Sequence, residues 1–146
     1  MEQRISLITL ATRDMDLMSS FYDALGWQRV EGQDNVIAYD LIGQTLGLYP
    51  IEALAAEVGL DVNAKMGQAG LCSVAFSHNV RTKEEVHAVL ERAGKAGAEI
   101  LKEPSDVIWG GYHGYFADPE GHVWEVACNP FSTLREDGAF RWNGFE

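Results

Sequence analysis

The sequence predicts an α+β fold in which two βαβββ modules form a cupped, mostly antiparallel sheet. Strand-like and helix-like periodicities follow the same order in each half of the chain, and a repeated supersecondary unit buries its apolar sheet face against its sibling or a partner. Short segments of the two halves also match. Phe21-Tyr-Asp-Ala-Leu-Gly-Trp27 lies over the helix ending Ala93-Gly-Lys-Ala-Gly97, and Gly43-Gln-Thr-Leu-Gly-Leu-Tyr-Pro50 lies over Gly121-His-Val-Trp-Glu-Val-Ala127, which places Gly47 at the position of Glu125. A third observation is the hairpin signal Asp118-Pro-Glu-Gly121 between apolar alternating runs.

In chain order, Ile5–Leu10 reads as a strand. Asp14 is an N-cap for a helix to Leu25, with Met15, Met18, Phe21, Tyr22 and Leu25 on one face and Gly26 as its stop. Strands follow near Gln28–Glu31, Val36–Leu41 and Thr45–Tyr49. Glu52–Val58 is a short helix, and the stretch through Gly67 and Gly70 is a linker. The order then restarts with a strand at Leu71–Ser77 and a helix from the Thr82/Glu85 capping box through Lys95. Strands at Ala98–Leu101, Tyr112–Ala117 and His122–Cys128 complete the second module. The domain reading is one domain over 1–146, with modules at 1–50 and 71–128, a linker at 51–70 and an aromatic tail at 129–146.

The hairpin sets a register. Pro119 presets position i+1 of a type I turn and Gly121 supplies the left-handed residue, so Ala117 faces Val123, Tyr115 faces Glu125 and His113 faces Ala127. Glu125 therefore stands among Val123, Ala127, Tyr115 and His113. A carboxylate there is either a solvated sheet residue or the polar centre of a pocket, and alternation alone does not distinguish them.

Composition removes several function classes. A chain of 146 residues buries roughly 70% of its unfolded surface without staples. With 11 basic and 22 acidic residues its net charge is -11, which repels nucleic-acid phosphates and anionic membranes. No apolar run approaches a membrane span and the start has no signal-peptide layout, so the expected location is cytoplasmic. Cys72 and Cys128 lie in apolar segments without metal or disulfide spacing and read as buried free thiols.

The paired βαβββ layout, the Asp14 to Phe21-Tyr22 spacing with Leu25-Gly26-Trp27, and Asp118-Pro-Glu-Gly-His-Val-Trp-Glu125 resemble the vicinal oxygen chelate superfamily. This superfamily includes glyoxalase I, bleomycin-resistance proteins, fosfomycin-modifying enzymes and extradiol dioxygenases. The resemblance covers about residues 4–130, and is greatest to glyoxalase-like proteins carrying Trp109-Gly-Gly-Tyr, Gly114-Tyr-Phe-Ala-Asp-Pro and Trp124-Glu-Val-Ala together. It implies a homodimer with a small-molecule pocket. In metal-dependent members each module gives one ligand from its first strand and one from its last, and a divalent cation polarises the substrate. Those positions fall here on Leu7, Gly47, about Cys72, and Glu125, and only Glu125 matches the pattern. Such a set lacks the hard ligands that magnesium, nickel, manganese or iron(II) require, so no metal residues are assigned and no cofactor is expected.

Glu125 is the catalytic candidate, and apolar walls from Leu7 and Val123 are expected to raise its pKa. Ligand-binding candidates are Leu7, Gly47, Tyr49, Cys72, Trp109, His113 and Tyr115. Gly47 leaves space beside Tyr49, and Trp109-Gly-Gly is a lid or an aromatic plug. His78 and His122 read as solvated strand-end residues and His87 as surface. The aromatic tail is expected to pack on the body or on a second subunit. The first functional reading is a metal-free pocket protein of bleomycin-resistance type, binding an amphipathic or cationic small molecule. The alternative is a lyase, isomerase or dioxygenase of glyoxalase type, dependent on Glu125 or a metal. A third reading places the role in the tail as a contact surface.

Overall fold

The computed structural model describes residues 1, 3, 5–30, 35–62, 74–142 and 145. It consists of two compact units, Met1–Gly70 and Leu71–Glu146. Each holds one βαβββ module, as expected, and each module forms a four-stranded mixed sheet with two antiparallel pairs and one parallel pair.

The first unit runs β1 (Leu7–Thr12), α1 (Met15–Ala24), β2 (Arg29–Val30), β3 (Ile37–Leu41), β4 (Gln44–Pro50) and α2 (Ile51–Val58), with sheet order β1-β4-β3-β2. The Asp14 carboxylate accepts from the Leu17 N–H at 2.9 Å and caps α1 as expected. Met18, Phe21 and Tyr22 of α1 are fully buried, as are Tyr39, Leu46 and Leu48 of the sheet. Tyr22 stacks on Trp27 with ring centres 5.1 Å apart, and the Tyr39 hydroxyl donates to the Ser19 carbonyl and to Asp23. This aromatic core fixes the helix on its sheet.

The second unit repeats the plan with β5 (Ala75–Val80), α3 (Lys83–Ala96), β6 (Glu99–Asp106), β7 (Tyr112–Ala117) and β8 (Val123–Cys128), in order β5-β8-β7-β6. Thr82 caps α3 through the Glu85 N–H, while the Glu85 carboxylate accepts from Arg81 N–H rather than from the cap residue. Val86, Leu90 and Ala93 are its buried face. A Cβ at Gly114 would lie 2.5 Å from Leu90 Cδ1, so α3 covers the even-numbered face of β7. His113, Tyr115 and Glu125 therefore point to the opposite face.

Two strands of the second unit run beyond their expected ends. β5 continues past Ser77 to Val80, because its parallel pairing with β8 extends to Val80 and Cys128, although Ser77-His78-Asn79 carries little apolar signal. β6 passes Pro104 with register shifts between Ile100 and Lys102 and between Lys102 and Ser105, the irregularity expected where proline has no N–H for a ladder. The tail is tied to this unit, since the Arg81 guanidinium donates to the carbonyls of Arg135 and Glu136 at 2.9 and 3.1 Å. The linker stretch through Gly67 and Gly70 lies outside the described residues. Among the described residues no helix is long and apolar enough to cross a membrane.

Candidate functional site

The β7–β8 hairpin has the register its turn dictates. Gly121, with φ 92°, donates to the Asp118 carbonyl at 2.9 Å, and the pairs Ala117–Val123, Tyr115–Glu125 and His113–Ala127 follow. The Asp118 carboxylate is buried and accepts from the backbone N–H groups of Glu120 and His122 and from His122 Nδ1. His122 is thus a clamp on the turn, and the expectation of a solvated histidine is corrected. Burial works against its charge, but the Asp118 bond prevails and its pKa rises above the ordinary value.

A line of polar side chains crosses the second sheet from edge to edge. Ser77 of β5 donates to Glu125 Oε2 at 2.8 Å. On β7, His113 Nδ1 and the Tyr115 hydroxyl reach Glu125 Oε1 at 2.7 and 3.0 Å. Lys102 of β6 reaches His113 Nε2 at 2.9 Å. Burial tends to raise the Glu125 pKa, but bonds from Ser77, His113 and Tyr115 outweigh it, and the carboxyl lies below its ordinary value. The expected upward shift is overturned. Desolvation was predicted from apolar neighbours, whereas the strands bring three donors to the two oxygens. Tyr115 is shifted upward by burial and by its bond to the carboxylate.

Glu125 opens onto a cavity of about 700 Å³. Ser77, Asn79, Ala127 and Asn129 line it, together with Trp109, Phe131, Ser132, Phe140 and Trp142. Trp109 stands on the β6–β7 connection, closed by Val107 N–H to the Gly111 carbonyl at 3.1 Å, with its ring centre 6.2 Å from that of His113. The indole lies over Gly111 so closely that a Cβ there would fall 1.9 Å from the ring. The hydroxyl of Ser132 donates to the Trp142 carbonyl and holds the tail's two ends together.

Leu7, Gly47 and Tyr49 fall in the first unit. Leu7 Cδ1 sits 3.3 Å from the position a Cβ would take at Gly47, so the two are neighbours on one sheet face. Tyr49 turns toward α2, where its hydroxyl donates to Glu57 at 2.9 Å. Cys72 lies outside the described residues. Cys128 is half-buried with Sγ 3.4 Å from the Arg81 carbonyl. His78 lies inside β5, and exposed His87 contacts the Tyr112 hydroxyl at 2.7 Å.

Sequence reasoning missed Ser77, Asn79 and Lys102. The repeat contained a signal for the first: Thr9 pairs with Gly47 as Ser77 pairs with Glu125, so copying the β1–β4 register onto the second module finds Ser77. Lys102 depends on the irregular β6 pairing and had no such signal.

The donor set does not suit the divalent metal that the family resemblance implies. Both Glu125 oxygens already accept from protein donors, and His113 has one nitrogen on Glu125 and the other on the Lys102 ammonium. Among the described residues no three His, Cys, Asp or Glu side chains converge on one point.

Comparison with known proteins agrees with this fold. A family model described as the Glyoxalase/Bleomycin resistance protein/Dioxygenase superfamily matches residues 4–126. A glyoxalase-related enzyme from Fulvimarina pelagi is similar over 97% of this chain and 99% of its own, at 32% identity and a TM-score of 0.85. A glyoxalase/bleomycin resistance protein/dioxygenase family enzyme from Burkholderia phytofirmans PsJN covers 85% of this chain and 97% of its own, at 26% identity and a TM-score of 0.73. Lactoylglutathione lyase from Agrobacterium tumefaciens shares the fold at 21% identity and a TM-score of 0.61, over 86% of this chain and 93% of its own. No curated protein matches. The hairpin motif, the doubled module and the matched span lead to one conclusion: this chain belongs to the Glyoxalase/Bleomycin resistance protein/Dioxygenase superfamily.

Proposed function

We propose that the protein binds a small organic molecule in the cavity of its second module, with no metal at the family position. The observation that carries this reading is the aromatic cavity with one carboxylate in its wall, both of whose oxygens are already engaged by Ser77, His113 and Tyr115. Aromatic walls supply contact area, and a fixed polar group orients the ligand. Trp109, His113 and Tyr115 serve with Glu125 in this reading. Leu7, Gly47, Tyr49 and Cys72 stay in the proposal as ligand-binding positions on the strength of the family resemblance. The same resemblance supports a homodimer, and a cytoplasmic setting completes the proposal.

The alternative, a glyoxalase-type lyase, isomerase or dioxygenase, draws on the likeness to the glyoxalase-related enzyme of Fulvimarina pelagi and the family enzyme of Burkholderia phytofirmans PsJN. It needs Glu125 as a base or as a metal ligand. A carboxylate with three donors on it is a weakened base, so its geometry suits recognition better than proton abstraction. The third reading, a tail used as a contact surface, has less support because Phe131, Phe140 and Trp142 wall the cavity.

Elemental analysis of the untagged protein, with thermal-shift titrations of nickel, manganese, iron(II) and zinc, tests the proposal. The expected result is no stoichiometric metal and no metal-dependent rise in Tm. A near-stoichiometric metal that disappears in Glu125→Gln would overturn it and restore the enzyme reading.

A further inference from the structure

The Lys102 ammonium has three N–H donors and no lone pair, so across the 2.9 Å contact it donates to His113 Nε2. On its other side the ring places Nδ1 2.7 Å from Glu125 Oε1. Ser77 and Tyr115 donate to the same carboxylate through neutral hydroxyls. Glu125 is thus held by one imidazole and two hydroxyls, and the Lys102 ammonium stands one imidazole away.

Among the described residues that line the cavity, Glu125 is the only charged one, and its side chain retains 21% exposure. A carboxylate has about four acceptor positions, of which three are filled here. We infer that the ligand is an organic ammonium that donates to the remaining position of Glu125, with its apolar body against Trp109, Phe131, Phe140 and Trp142. This deepens the pocket-binding proposal and rests on it. A cation gains both from the carboxylate's open position and from the faces of surrounding rings, whereas a neutral alcohol of the same shape gains one ordinary hydrogen bond. An anion meets the carboxylate and a chain of net charge -11.

The test is calorimetric titration of the full chain at pH 7.5 with 2-naphthylmethylammonium, 2-naphthalenemethanol and 2-naphthoate. On the wild type the ammonium is expected to bind at least ~10-fold more tightly than the alcohol, with the carboxylate weakest. In Glu125→Gln the preference for the ammonium should fall to near parity, with circular dichroism verifying the fold. Should that variant fail to fold, the wild-type ranking of the three probes decides alone. Equal or tighter binding of the alcohol or the carboxylate overturns the ammonium assignment and leaves the pocket reading standing. If none of the three binds, both fail.

Discussion

At the residue scale the chemistry turns on what the two oxygens of Glu125 touch. Its pKa is lowered in the folded state, so its stabilising contribution is present above the unfolded carboxyl value and is lost as pH falls through the folded one. Urea unfolding of wild type and Glu125→Gln across pH 3 to 7 should therefore show the wild type more stable near neutrality, with the difference closing under acid conditions. A difference that grows on acidification would contradict the bonding described here. His122 has the opposite sign. Its folded pKa is raised by Asp118, so its contribution is present below about pH 6.5, the unfolded value, and is lost as pH rises through the folded one. The Tm deficit of His122→Ala should be larger at pH 5.5 than at pH 8.5.

At the element scale, the hairpin and the β6–β7 connection place the site. Gly111 admits the Trp109 ring at a distance no side chain allows, so Gly111→Ala must move the indole or the backbone. The expected outcome is a shifted tryptophan emission and at least ~3-fold weaker naphthylmethylammonium binding, with the secondary structure intact by circular dichroism. Unchanged emission and affinity would show that Trp109 does not wall a working site. The tail makes a parallel case. Trp142 is 77% exposed yet lines the cavity, so Trp142→Ala should weaken the same probe several-fold at nearly constant Tm. Loss of stability without loss of affinity would return the tail to a purely structural role.

At the scale of the whole molecule, net charge adds a long-range term. With 22 acidic and 11 basic residues, the protein concentrates cations near its surface, and salt screens that attraction within about 10 Å at 0.1 M. Affinity for the ammonium probe should fall between 20 and 300 mM salt while that of the neutral alcohol stays level, as read by calorimetry. Much of the fold was legible before any coordinates, because it rests on local chemistry. Asp14 and Thr82 cap helices through their own side chains, and Pro119 with Gly121 imposes a turn whose geometry propagates along both strands. The register of His113, Tyr115 and Glu125 followed from those local rules. What the sequence could not convey was set by contacts between distant strands. Ser77 meets Glu125 across 48 positions of chain because β5 pairs with β8, and Lys102 meets His113 only through an irregular β6 register. Ser77 joins His113 and Tyr115 in reversing the pKa shift expected for Glu125, and the tail's aromatic rings line the same cavity, because hydrogen bonding and desolvation depend on which groups tertiary pairing brings within about 3 Å, and local sequence pattern does not encode that.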